Sequence, residues 1–502
     1  MPLLLENGLI VDGTGGKPYR GSVLMAGDRI LECGPEISVS GEVQRTDCTG
    51  LAISPGFVDI HSHSDLHLLE NDPEKMHQGV TSEVVGNCGF SAFPCCGNRA
   101  AVQEYANAIL NGEGDWGWAT SKEYLAQAVR SSQIANVFSL TGHGTLRVAQ
   151  SGFAQGPLPQ RDFDAMSATL AETLEDGAVG FSTGLMYAPG SSAPVEELAE
   201  LCRVTAQRGG IYCTHMRSYS WELLESLEEQ IGLATVSGCR LQISHMQAVG
   251  RANWSKQEAA LERIEQARQA GVDIEFDSYP FLAGSTVMTQ LLPQRALDGG
   301  TSALLTRLQN TAERRDIERE TEQGMAQSWD DLFITSVRTA GNQPLVGKTI
   351  REIAVLRSRT PIETVTDLLL EEDAVVNVVS FNQSDDNLRA LLTHPRCTVI
   401  SDGFYVTGRP HPRLFGTFPE LLGNYVRERG WLTLPEAVHK ITRKPAERFR
   451  LAGRGSLASG SFADVTIFNP ETIRSRATYD NPEQAPEGIS LVFRNGREVF
   501  HA

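Results

Sequence analysis

Six side chains have the types and placement to hold a metal ion and move a proton: His61, His63, Cys88, His215, His245 and Asp402. In GFVDIHSHSD the two histidines are two residues apart, so on an extended strand their imidazoles share one face and can grip one cation. An HxH pair alone specifies little. Its weight rises because Thr214-His215 and Ser244-His245 end two later apolar runs, and Asp402 ends another in VISDG. Cys88, in VVGNCGF, closes a further run and precedes a glycine, which permits close backbone approach. A buried cysteine by itself acts as a small hydrophobe, but its thiolate suits zinc, and the neighbouring run ends favour that role. The adjacent Cys95 and Cys96 point to opposite faces of an extended segment, so no shared ion is expected there.

For these side chains to meet, their segments must lie side by side. From about Leu51 to Lys444, eight short apolar segments recur: AISPGFVDIH, SEVVGNCGF, NVFSLTGHG, AVGFSTGL, GIYCTHM, LQISHM, VDIEFDSY and CTVISDG. Between them lie stretches such as PVEELAELCRVTAQRGG and KQEAALERIEQARQAG, with the apolar spacing of helices and terminal glycine stops. This alternation predicts an α/β fold, a parallel (β/α)8 barrel over residues 54–450, with the candidate residues at the C-terminal strand ends where barrels hold their active sites. An insertion after the seventh strand, at 286–347, is expected to act as a mobile cover, since it is long, charged and emerges at the metal-bearing face. Its run AERRDIERETEQ reads as a solvated helix. Residues 1–53 and 451–502 share a different texture, short strands broken by Gly, Asp and an Asn-Gly turn. They are predicted to pair into one small β-sandwich domain built from both termini.

Composition narrows the partners. With 41% hydrophobic and 21% charged residues, the 502-residue chain can bury a large core. A formal net charge of -18 repels nucleic acid phosphates. No run approaches the roughly 20 apolar residues of a membrane span, and MPLLLENGLIVDG lacks the basic head and apolar core of a signal peptide. The expected setting is the cytoplasm, with a small-molecule partner, no membrane or nucleic acid, and a homo-oligomer left open. The nine cysteines are odd in number and scattered, which suits buried thiols rather than a disulfide framework.

HxH, two later histidines and a final aspartate on a barrel resemble the amidohydrolase superfamily. Longer motifs narrow the resemblance. GNCGFS, GFSTGLMYAPG, IYCTHMRS, the DSYPFLAGST run, SDG followed by PHPRLFGTFPELLGNYVRE, and AVHKITRKPAERF resemble, in order, the N-acyl-D-amino-acid deacylase or D-aminoacylase family. That resemblance implies a zinc-dependent hydrolase of a C–N amide bond. It implies one tightly held zinc on Cys88, His215 and His245, and a weaker second site on His61 and His63. Asp402 would take a proton from water and return it to the departing nitrogen. Arg413 and Ser285 would hold the substrate carboxylate, the planar Arg fork suiting a bidentate contact. Tyr187 and Tyr279 would line the pocket. Many superfamily members bridge two metals with a carboxylated lysine, but no lysine occurs between Lys122 and Lys256; the resemblance gives that bridging place to Cys88.

One departure bears on the substrate. Where the family reads SHHK, this chain reads Ser244-His245-Met246-Gln247, so a carboxylate-contacting lysine becomes neutral Gln247. Losing one charge-assisted hydrogen bond removes about 1.5–3 kcal/mol. A cyclic amide or imide therefore stands as the alternative substrate and, outside enzymes, a non-catalytic barrel scaffold as the alternative role. His143 in TGHGTLR is expected to be a hydrogen-bonded support. His67, His77, His394, His439 and His501 lack ligand company and read as structural or exposed.

Overall fold

The computed structural model describes residues 1–111 and 116–502, apart from the side chain of Ala108. Eight parallel strands pair in chain order: Phe57–Asp59, Val80–Val85, Asn136–Gly142, Gly180–Gly184, Ile211–His215, Arg240–Ile243, Ile274–Ser278 and Cys397–Val399. Each of the eight apolar segments supplies one. The ring closes where Ser62 bridges Gly403 in parallel; there Asp402 N donates to His61 O at 2.9 Å and His63 N to Gly403 O at 3.0 Å. Segments such as VTSEVV and IYCTH are buried at every position, as expected of strands covered on both faces. Helices Val195–Gln207, Leu223–Ser237 and Lys256–Gln269 cover the outside, and their Leu198, Leu201, Leu227 and Ile264 join Phe181, Tyr212, Leu241 and Phe276 in one core.

Two further units flank the barrel. Strands from both termini form one eight-stranded sheet, in which Val465–Phe468 lies antiparallel to Ala52–Pro55 and Leu3–Ile10 contacts Tyr19–Ala26, Gln44–Asp47 and Ala52–Pro55. An Arg29–Phe462 bridge brings its far edge back, so Leu5, Val23, Ile30, Val465 and Phe493 enclose a core of their own. Because Ala52–Pro55 runs straight into the first barrel strand, this sheet braces the HxH segment. Between the seventh and eighth barrel strands, Ala283–Val287, Val376–Phe381 and Leu332–Val337 form an antiparallel sheet backed by four helices of eight residues or more. The inserted unit thus reaches well past 347. A period-2 run such as VNVVSF looks like a barrel strand in sequence, and only its antiparallel pairing separates the two. The charged run lies in helix Thr311–Gly324, capped by the Asn310 side chain on the amides of Ala312 and Glu313, and it buries only Ile317 and Thr321. Among the described residues, no helix is long and apolar enough to cross a membrane.

Candidate active site

The sequence delivers the reactive side chains by turning sharply at the strand ends. Cys88, His245 and Asp402 all adopt left-handed backbone, with φ of 53°, 34° and 48°. Non-glycine residues avoid this region, and such strain, held in place by the surrounding fold, concentrates at functional sites. Gly89 lets the turn after Cys88 press against the fourth barrel strand, since a Cβ there would sit 2.7 Å from Gly184 N. The first and eighth strands lie side by side at the barrel closure, which sets His61 and His63 against Asp402.

The donor atoms converge from five strand ends. His61 Nε2 lies 3.3 Å from Cys88 Sγ and 3.3 Å from Asp402 Oδ1, while His63 Nε2 reaches the same Asp402 oxygen at 3.3 Å. Cys88 Sγ is 3.6 Å from His245 Nε2, and the His215 and His245 rings stand 4.6 Å apart between centroids. Two donor groups are compact enough for a cation: His61, Cys88 and His245, and His61, His63 and Asp402. His215 lies outside both groups, and both of its buried ring nitrogens lack a partner. With no hydrogen bond to satisfy them, both nitrogens are free to act as donors toward a cation. Burial holds His63, His215 and His245 below the ordinary imidazole pKa, His245 at about 4, so they are neutral near pH 7 as metal ligation demands. Burial opposes ionisation of Asp402, but Arg413, His61 and His63 overcome it and hold its carboxyl well below the usual range. The donor set fits zinc.

Around this cluster sit the other predicted residues. Arg413 is buried, its Nη1 2.9 Å from Asp402 Oδ2, its Nη2 3.4 Å from the Ser285 carbonyl and its guanidinium 4.8 Å above the Tyr279 ring. The Tyr279 hydroxyl donates to Gln247 Oε1 at 3.1 Å, and Tyr187 packs edge-on against His215. All of these side chains line one cavity of about 220 Å³ at the barrel mouth. His143 bonds Glu197 at 2.8 Å, the support position expected of it. Cys95 is buried and Cys96 exposed, in a turn where Cys96 is left-handed (φ 45°) rather than in an extended segment.

Sequence reasoning missed three supporting residues. Asp277 accepts from His245 N at 2.6 Å and lies 3.4 Å from His61 Nδ1, orienting a candidate ligand from each donor group. Its place next to Ser278 at the end of the seventh strand was a usable signal. His411 fixes the start of the Arg413 helix, accepting from Arg413 N at 3.0 Å and pairing with the Ala283 carbonyl at 2.9 Å. Lys75 lies in an unremarkable NDPEKMH stretch, so no signal marked it.

A closed α/β barrel with a His/Cys/Asp donor cluster at its C-terminal mouth defines a metal-dependent amidohydrolase. The profile of the amidohydrolase family matches residues 44–500. The chain is 36% identical to N-acyl-D-glutamate deacylase of Alcaligenes xylosoxydans xylosoxydans, covering 100% of this chain and 94% of that protein. It is 33% identical to D-aminoacylase of the same organism, with 99% and 94% covered. The crystal structure of N-acyl-D-glutamate deacylase from Bordetella bronchiseptica, complexed with zinc and a phosphonate mimic of the tetrahedral intermediate, superimposes with a TM-score of 0.84 at 33% identity. That match covers 99% of this chain and 96% of the other. The chain belongs to the D-aminoacylase family of amidohydrolases.

Proposed function

We propose that this enzyme hydrolyses the amide of N-acyl-D-amino acids, releasing a carboxylate and a free D-amino acid. The observation that carries the reading is Asp402, which belongs to the His61–His63 donor group, lies 3.3 Å from His61 Nε2, and lines the cavity with Arg413 Nη1 2.9 Å from its other oxygen. Cys88, His215 and His245 would hold one tight zinc and His61 and His63 a weaker second ion. When bound, zinc supplies Lewis acidity to the amide carbonyl and to the attacking water. Asp402 Oδ1 accepts the proton of that water as its oxygen adds to the carbonyl carbon, then delivers it to the amide nitrogen as the C–N bond breaks. Arg413 takes the substrate carboxylate, and the Tyr279 ring beneath its guanidinium restricts its approach.

Met325 and Leu332 of the inserted unit wall the cavity, which supports assigning residues 286–347 as a cover. Equal protease sensitivity of that segment with and without a competitive inhibitor would count against a cover. Gln247, neutral and bonded to Tyr279, favours one second reading, a cyclic amide or imide as substrate. Turnover of N-acyl-D-amino acids beside hydantoins and other cyclic amides separates the two, and hydrolysis confined to the rings would displace the first.

A further inference from the structure

The cavity lining bears on which amino acid the enzyme releases. Beyond the candidate ligands, its large apolar side chains include Ile109, Met186, Leu291, Met325, Leu332 and Phe404. Arg413 is the one lysine or arginine lining it among the described residues, and it is already engaged by Asp402 at 2.9 Å. Residues 112–115, outside the described set, read Gly-Glu-Gly-Asp and add no base. The remaining polar lining, such as Gln290 and Asn382, is neutral.

We infer that the cavity accepts substrates with a single carboxylate and an uncharged, predominantly apolar side chain, and disfavours the acyl-D-glutamate and acyl-D-aspartate for which relatives are named. The inference rests on the deacylase reading and on a charge count. One substrate carboxylate pairs with Arg413. A second would leave water for a wall of apolar and neutral polar groups, beside the Asp402 carboxyl and without a cation of its own, and burying an unpaired charge is costly. Neutral amides recover only part of the lost hydration. Overall identity does not report this property, because a few lining residues decide it.

The test is kcat/KM of the zinc-loaded enzyme on N-acetyl-D-leucine, N-acetyl-D-glutamine and N-acetyl-D-glutamate. Glutamine and glutamate share size and shape, so their ratio isolates charge. Leucine should be the best of the three, with glutamate at least about 30-fold below glutamine, the cost of a charged group left unpaired. In Met325→Arg, which places a cation on the wall from a partly buried loop, the gap between glutamine and glutamate should narrow about tenfold. Glutamate within about threefold of glutamine in the unaltered enzyme, or an unchanged gap in folded Met325→Arg, would overturn the inference. Failure to cleave any of the three would instead remove the deacylase reading, so the two failures are distinguishable.

Discussion

Two buried polar clusters share the barrel's closing strands, and they differ in how fully their donors are used. Around Lys75, all three ammonium hydrogens have partners: Asp59 Oδ2 at 2.6 Å, Ser401 Oγ at 2.5 Å and Ser62 Oγ at 3.3 Å. Ser62 also donates to Glu83 at 2.7 Å, and Ser401 N to Asp59 Oδ1 at 3.1 Å, which ties the first strand to the last. In the neighbouring cluster of His61, His63, Cys88, His215, His245 and Asp402, ring nitrogens of four histidines lack hydrogen-bond partners. Both are buried. The lysine network ties the first strand to the last and leaves one carboxylate oxygen, Glu83 Oε1, without a partner, whereas five ring nitrogens of the histidine cluster have none. Unmet donors, more than buried charge, mark the reactive site.

The contrast can be broken by experiment. Chelation should act on the open cluster alone, lowering kcat by at least about 10³-fold, the several kcal/mol a Lewis-acidic ion supplies, with recovery on adding zinc. Activity that survived chelation with no residual metal would end the distinction. Lys75→Met should do the reverse: leaving Asp59 buried and unpaired is expected to lower unfolding stability by about 3–5 kcal/mol in a denaturant titration. The folded fraction should still bind zinc stoichiometrically, and loss of zinc from folded protein would merge the clusters.

Smaller effects sharpen the picture inside the site. Asp402→Asn should keep zinc and fold but lose at least about 10²-fold in turnover, the lower end of general acid–base contributions. Near-normal turnover would move the proton transfer elsewhere. Arg413→Ala should lose about 10- to 100-fold in kcat/KM on acyl-D-amino acids. Unchanged values on an uncharged best substrate would favour the cyclic-amide reading.

Much of this was legible along the chain. Eight apolar runs separated by helical stretches specify a parallel barrel, because strands buried on both faces need continuous apolar sequence. The HxH pair and the His, Cys and Asp at later run ends named side chains that the structure gathers at the barrel mouth, since strand ends sit there. Where the insertion ends was not legible. Val376–Phe381 has barrel-like apolarity, and hydrogen-bond partners rather than composition place it in the antiparallel sheet.

Grouping and electrostatics belonged to the tertiary structure. His61 meets Cys88 and His245 as well as His63 and Asp402 because the ring closes between Ser62 and Gly403, a contact across 341 positions that no local pattern encodes. Arg413 spans Asp402, Ser285 and Tyr279 only once the inserted sheet has folded. Residue types set what chemistry is available, since donor atoms and charges belong to side chains. Distances and local dielectric, which decide whether those atoms act together, arise only when strands far apart in the chain pack side by side.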